Sequence, residues 1–508
     1  MSLCLYNRLE LLCRTDSLLI EKTSRLLVLY SITVLTASDL TMMGPSKAAV
    51  LRTIRSSLQH RRRVQSSSKE GYKSIGSFHS ENVEDLMRLP PNEYQPPPLP
   101  FETLPLSSDF LLDRTEWTFL NHGAFGASLQ CGYDRAQQWR LHLEHQPLRF
   151  FDRDLLPHLV HGARQLAHFT HAQREGLALL PNVTSGLNAA ISGYVREYGD
   201  SANILLWDVS YGSVKKMAQA YCDKVIEIPF QENYMHRLDD EDVFIEALED
   251  ILEGKDWTNT LLVLDHTTSN TALNLPIERL AKRAKEAGMI TLVDGAHGLL
   301  AQEVNFTKLP SVDIYLSNGH KWLSCPRGVA FVYCPQEELR ETILRNPAVI
   351  SHGVDDGYLS RFLWDGCRDY AAQLALPVVL DFWQQADPPM IRTWLHTKLT
   401  DAIRLIAETW HPMYANDTDS WAGKVTLGSM ALHSPMALVR LPPVFCGSLG
   451  HPKTSTDAKK VQDYLYDNKI EVPIKCINGV LYVRLSCHIY NELREYDRLA
   501  QVMLEYPR

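Results

Sequence analysis

From about residue 110 onward, short apolar runs rich in β-branched residues alternate with stretches in which apolar positions recur every three or four residues. The runs at 203–207, 225–229, 260–265, 290–294, 314–317 and 329–334 carry few polar positions, the pattern of strands buried on both faces. Helical spacing fills 240–252 and 277–287, and the second stretch stops at Gly288 after Lys282, Arg283 and Lys285, as a helix end should. This alternation predicts an α/β domain with a mostly parallel sheet and helices on both faces. From about Pro388 the pattern changes to a long helix over 391–410, strands at 425–432, 437–440, 470–473 and 481–485, and a closing helix from Glu492. A smaller C-terminal α+β domain is expected there. The reading divides the chain into an extension over 1–109, a large domain over 110–387 and a small domain over 388–508.

The extension contains a proline-rich strap at 89–100, whose rings cannot join helix or sheet ladders, and it is expected to be largely disordered. Its charge sets it apart. The whole chain of 508 residues carries a net charge of −9, but residues 1–75 hold twelve Lys or Arg against five Asp or Glu. The remainder is strongly acidic, which disfavours a nucleic-acid partner, because phosphate-backbone affinity comes from clustered Lys and Arg. Between Met42 and Ser68 there are six basic residues, several serines and no acid, a composition of organellar leaders. The longest apolar stretch of the extension, about 26–38, is shorter than the roughly 18–20 residues a membrane span needs, and the acids Glu10, Asp16 and Glu21 before it do not suit a secretory signal. A cytoplasmic or mitochondrial address is expected, with no secretion and no membrane partner. The ten cysteines include no C-x-x-C pair, so neither zinc nor a redox disulfide is indicated. His158, His161, His168 and His171 lie on an amphipathic stretch without supporting carboxylates, and no metal is expected there.

Candidate chemistry sits at the ends of the expected strands. Lys321 follows the 314–317 run within Asn318-Gly319-His320-Lys321-Trp322, where a sheet of this kind opens into a cleft. An amine there can form a Schiff base with an aldehyde cofactor. Asp294 closes the 290–294 run, and pyridoxal phosphate enzymes need both such a lysine and an acid that keeps the pyridine nitrogen protonated.

These segments, in this order, resemble the class V aminotransferase family of pyridoxal phosphate enzymes, most closely its isopenicillin N epimerase-like and cysteine desulfhydrase-like branch. The resemblance runs from about Phe119 to Asn491 and implies the aspartate aminotransferase-like fold, pyridoxal 5'-phosphate as cofactor and an amino acid as substrate. Lys321 would be the catalytic, cofactor-binding lysine and Asp294 the ring-nitrogen partner, with His297 at the ring 3'-oxygen. The Thr184 and Ser185 hydroxyls within Asn182-Val183-Thr184-Ser185-Gly186 would form a phosphate cup, supported by Asn318 and His320. Tyr211 would stack on the ring. Asn121, in the loop Asn121-His122-Gly123, and Ser269, in Thr268-Ser269-Asn270, would line the substrate side. Arg484 would clamp the α-carboxylate with a planar fork.

The resemblance also implies a homodimer in which Gly366, Cys367 and Arg368 of the partner subunit complete the phosphate site. Cys367 stands where the family usually has threonine, and a thiol is the poorer donor. Cys476, only eight residues before Arg484, is read as structural rather than as a sulfur-carrying nucleophile, and Ser269 stands where desulfurases place Asn. Elimination of sulfur from Cβ, epimerisation at Cα and transamination share one path up to Cα deprotonation. The Ser213-Val214-Lys215-Lys216 stretch resembles desulfhydrase relatives and leans the reading towards a carbon–sulfur lyase, with a non-catalytic scaffold as the distant alternative.

Overall fold

The first two turns of ordered structure come earlier in the chain than the apolar pattern suggests. In this computed structural model, residues 83–104, 109–415, 421–445 and 452–507 are described, and helix α1 (Val83–Arg88) already buries Val83, Leu86 and Met87. The Arg164 guanidinium donates to the carbonyls of Leu86 and Met87 at 2.9 and 2.8 Å and lies 3.8 Å over the Tyr94 ring. The Glu84 carboxylate accepts from the amides of Leu359 and Ser360. Residues 83–104 are therefore packed against the large domain, and a start near Phe110 is too late; proline strap and helix were hidden because their anchors are far away in sequence. The Met42–Ser68 segment lies outside the described residues.

Strand β1 (Thr118–Phe119) is followed by β2 (Leu177–Leu180), helix α2 (Val183–Tyr198), β3 (Asn203–Trp207), β4 (Val225–Ile228), β5 (Thr260–Asp265), β6 (Ile290–Asp294), β7 (Ile314–Asn318) and β8 (Ala330–Tyr333). Seven of these form one sheet in the order β2-β8-β7-β6-β5-β3-β4. All neighbours are parallel except at β8, which runs antiparallel to both β2 and β7. The α/β architecture is as expected, and every strand from β3 to β8 falls on an apolar run. The edge strand β2, Leu-Ala-Leu-Leu, escaped because it has no β-branched residue and reads equally well as helix.

Helix α3 (Pro388–Trp410) leads into the smaller sheet, in which β9 (Met436–Arg440), β11 (Ile474–Ile477) and β12 (Val480–Ser486) run antiparallel in the order β11-β12-β9. Helix α4 (Ser455–Asp467) precedes β10 (Ile470–Glu471), and helix α5 (Leu493–Leu504) closes the chain. The strand expected over 425–432 is absent. Gly428 takes a φ of +87°, which breaks an extended run, and Met430–Leu432 forms a 3-10 turn. Strand β1 pairs with β10, and Leu120 joins the core of the small domain. The chain just before residue 121 is thus held by the C-terminal part, not by the large sheet.

Helix α2 lies directly on the large sheet because Gly186 leaves room for it. A Cβ there would stand 2.2 Å from Leu316 Cδ2 and 2.5 Å from Leu180 Cδ1. Gly186→Ala is expected to destabilise the fold by about 1–3 kcal/mol, the cost of overpacking a close-packed interior, measured as a lower urea midpoint at unchanged slope. An unchanged midpoint would show that the helix can lift off the sheet freely. Among the described residues, no helix is long and apolar enough to cross a membrane.

Candidate active site

The parallel order brings the carboxyl ends of β3, β5, β6 and β7 side by side, the edge at which sheets of this kind hold ligands. Asp265 ends β5 and Asp294 ends β6, and the two are register partners. Three residues after β7 comes Lys321. A tight turn fixes it: the Ser324 amide donates to the Lys321 carbonyl at 3.0 Å, the Cys325 amide to that of Gly319, and Ser324 takes a left-handed φ of 60°.

Lys321 Nζ stands 3.1 Å from His297 Nε2, and Trp322 Nε1 donates to His297 Nδ1 at 3.3 Å. An indole N–H can only donate, so Nδ1 must accept and the proton of the neutral imidazole sits on Nε2. That proton points at Lys321, whose nitrogen accepts it only as a free amine. The electrostatics run the same way. Burial, opposed by Asp294 and assisted by Arg484, lowers the Lys321 amine to about 8, and burial holds His297 well below its ordinary value. On the other side, burial raises Asp265 and Asp294, with their mutual repulsion adding to the rise of Asp265. Two buried acids side by side, with one weakly basic amine nearby, leave room for a further cation such as a protonated ring nitrogen.

The loop before α2 supplies the other pole. Asn182 caps α2, its side chain accepting from the Ser185 amide, while the Ser185 hydroxyl donates to the Asn182 carbonyl. Asn318 Oδ1 accepts from the Val183 amide at 3.1 Å, tying this helix start to the end of β7. Thr184 is exposed on the first turn, so hydroxyl and backbone donors at the positive end of a sixteen-residue helix face outward. His320 Nδ1 faces the Val329 carbonyl at 3.2 Å and must donate there, which leaves Nε2 an acceptor. Burial lowers His320 to about 4, so it needs an added proton before it can donate to a phosphate. Tyr211 stands at the start of Gly212–Tyr221 with 45% of its surface exposed, free to lie over a flat ligand.

Arg484, on β12, is only 4% exposed. Its Nη1 donates to the Ser269 carbonyl and its Nη2 to Asn121 Oδ1 at 3.3 Å, while Nε is buried without a partner. No carboxylate of the described residues pairs with it. A buried guanidinium without a counter-charge is costly unless a ligand supplies one, and burial lowers its pKa to about 10. The Ser269 contact is through the backbone, so its side chain is not what Arg484 reads.

Several residues that sequence reasoning passed over hold this arrangement together. His122 Nε2 donates to the Lys321 carbonyl at 3.0 Å and its Nδ1 accepts from the Tyr490 hydroxyl. His488 stacks on His122 at 4.0 Å and bonds the Trp322 carbonyl. The loop after His122 lies flush on the lysine segment, since a Cβ on Gly126 would come within 2.0 Å of the His320 carbonyl oxygen. His122 lies inside the Asn121-His122-Gly123 loop, and Asp265 carries the same signal as Asp294, an acid ending an apolar run. His158 packs edge-on against Trp139 at 4.6 Å and His161 lies parallel to Tyr94, so both serve packing. Cys476 is half-buried with its thiol donating to the Lys453 carbonyl, and Cys367 is exposed.

The donor set fits pyridoxal phosphate. Lys321 would bind its aldehyde carbon, Asp294 its ring nitrogen, His297 its ring oxygen, and Thr184, Ser185 and Asn318 its phosphate, with His320 joining them only when protonated. If Lys321 is the attaching amine, the rate at which the apo-protein takes up pyridoxal phosphate should rise with pH and level off above about 8, because only the neutral amine attacks. Stopped-flow absorbance measures that rate, and a profile flat between pH 6 and 9 would contradict the assignment.

Comparison with known proteins agrees with this geometry. The family model described as aminotransferase class-V matches residues 158–353. An L-cysteine desulfhydrase of Arabidopsis thaliana is 25% identical over 433 residues, covering 79% of this chain and 90% of the relative. An isopenicillin N epimerase of Amycolatopsis lactamdurans is 28% identical over 411 residues, covering 76% of this chain and 94% of the relative. A solved structure of the cystine C–S lyase C-DES in complex with cysteine persulfide superposes with a TM-score of 0.60 at 16% identity, covering 77% of this chain and 98% of that one. The family model spans the large sheet and its lysine and the relatives align along three quarters of the chain, so the chain is similar to the class-V aminotransferases, and pyridoxal phosphate is its cofactor.

Proposed function

We propose that the protein is a pyridoxal phosphate-dependent carbon–sulfur lyase of the cysteine desulfhydrase kind, converting cysteine and water to pyruvate, ammonia and hydrogen sulfide. The observation that carries the reading is the contact of Lys321 with His297, together with the buried Arg484, which no carboxylate of the described residues pairs with. One group moves a proton, and the other holds a carboxylate. When bound, pyridoxal phosphate draws electron density away from the substrate Cα.

Arg484 receives the α-carboxylate in its fork and fixes the direction of the Cα–H bond. Neutral Lys321, its lone pair released from the His297 Nε2–H, takes the Cα proton as general base. The electron pair left at Cα forms a double bond to Cβ as the Cβ–S bond breaks, and sulfur departs as a thiolate that the Lys321 ammonium can protonate. The names of the Arabidopsis relative and of other desulfhydrases favour elimination over epimerisation. Lys215, in the stretch that leaned the sequence reading the same way, pairs with Glu227 at 2.6 Å and bonds the Asp208 carbonyl, so it anchors its helix and stays out of the chemistry.

Incubation with L-cysteine tests the proposal. Sulfide, pyruvate and ammonia should appear in equal amounts without a keto-acid acceptor. Deuterium at Cα without sulfide would make the enzyme an epimerase, and dependence on a keto acid an aminotransferase. The reading includes a homodimer: Phe125, beside the Lys321 segment, is 70% exposed, and a second copy would cover it. Sedimentation at the dimer mass supports this and a monomer contradicts it. The address, cytoplasmic or mitochondrial, is read from the basic 42–68 stretch and is tested by fusing residues 1–75 to a fluorescent reporter.

A further inference from the structure

A cavity of about 320 Å³ has walls that include Ser210, Gln231, Asn270, Thr271 and Lys475, and Asn270 adjoins Ser269, whose carbonyl Arg484 bonds. Cysteine ends in a single sulfur atom beyond Cβ, whereas cavities of roughly 300 Å³ and more accommodate considerably larger ligands. The lining is mostly polar, so the surplus volume does not suit a hydrocarbon tail.

Lys475 comes from β11 and reaches across the cavity to Asn270, its Nζ donating to Oδ1 at 3.1 Å. An ammonium has three donors, so two remain. No carboxylate of the described residues pairs with it. The acid in the same wall, Asp208, accepts from the Gln231 amide at 3.1 and 3.0 Å and has Lys215, not Lys475, as its cationic neighbour. Burial, helped by repulsion from Arg484, lowers Lys475 to about 8. Two neighbouring cations, neither bonded to a carboxylate of the described residues, repel each other, a cost that two anions on one ligand would offset.

We infer that the substrate carries a second acid: Arg484 takes the α-carboxylate, and Lys475 takes an anionic group at the far end of a side chain that continues past the β-sulfur. The ligand class is an S-substituted L-cysteine with an acid-terminated substituent. The bond that is broken follows the lyase reading above; the recognition of the acid tail does not depend on it.

Binding separates the two. Titration calorimetry of the holoenzyme with L-α-aminoadipate and with L-norleucine compares side chains of matched length, one ending in a carboxylate and the other in a methyl group. Wild type should bind the acid at least about tenfold more tightly, the scale of one charge-assisted contact. Lys475→Gln, which removes the charge but can still donate to Asn270, should bring the ratio close to one while norleucine affinity stays put; that unchanged affinity is also the evidence that the variant is folded. Equal affinities in wild type, or a preference that survives Lys475→Gln, would overturn the inference. Release of thiol from S-carboxymethyl-L-cysteine and S-propyl-L-cysteine is then followed. An acid preference in binding without thiol from either compound leaves the inference standing and removes the lyase reading. Thiol released equally well from both, at equal KM, does the reverse.

Discussion

Lys321→Ala is expected to lower turnover by at least about 10⁴-fold, because in the proposed mechanism one side chain supplies both the attachment of the cofactor and the proton transfer at Cα. Reduction with borohydride followed by denaturation should leave pyridoxal phosphate attached to wild type and not to the variant. The fold should survive. Lys321 is half-buried, and its Nζ contact is with His297 alone, while the turn that holds it is made by backbone atoms and by the His122 bond to its carbonyl. A melting temperature within a few degrees of wild type, together with lost turnover, assigns the loss to chemistry. A variant that retains turnover would remove Lys321 from the mechanism.

The second large effect belongs to Arg484. Arg484→Lys keeps the charge but loses the planar fork, and two charge-assisted bonds of roughly 1.5–3 kcal/mol each are at stake. At about 1.4 kcal/mol per factor of ten, kcat/KM for an amino acid should fall by roughly 10²–10³-fold. The loss should fall mainly on KM, since the carboxylate is held before and during reaction. Part of the effect is structural, because Arg484 also donates to the Ser269 carbonyl and Asn121. The homologous amine, which lacks the α-carboxylate, separates the parts: its weak binding should be the same in wild type and variant. A fall confined to kcat, with KM unchanged, would mean that Arg484 does not hold the substrate in the ground state.

What the sequence makes legible follows from how each residue is positioned. Lys321, Asp294 and the Thr184-Ser185 turn sit at ends of strands or starts of helices, where apolar runs give way to polar residues, and a one-dimensional pattern marks such places. The long helix over 391–410 and the strands from 203 to 334 are visible for the same reason. The residues it hides act by tertiary contact. His122 and His488 reach the Lys321 and Trp322 carbonyls from opposite ends of the chain, and neither carries a periodic signal. Lys475 looks like one more basic residue on an exposed strand until Asn270 and the adjoining cavity are placed around it. The α1 segment looks like a linker because its partners, Arg164 and the 359–360 turn, lie far downstream.

The closure of the site by the last strand has a consequence for how the protein is made. His122 meets Tyr490 across 368 residues, and Asn121 meets Arg484 across 363. A nascent chain that has released the whole large sheet therefore still lacks the carboxylate clamp and the His488 prop behind the lysine. Such distant pairings must pay loop-closure entropy before they reward it, and they form late. The large sheet, with Lys321 and Asp294, can assemble during synthesis, but a site able to select an amino acid exists only once Arg484, His488 and Tyr490 have left the ribosome. Truncated products could then hold the cofactor without discriminating among substrates.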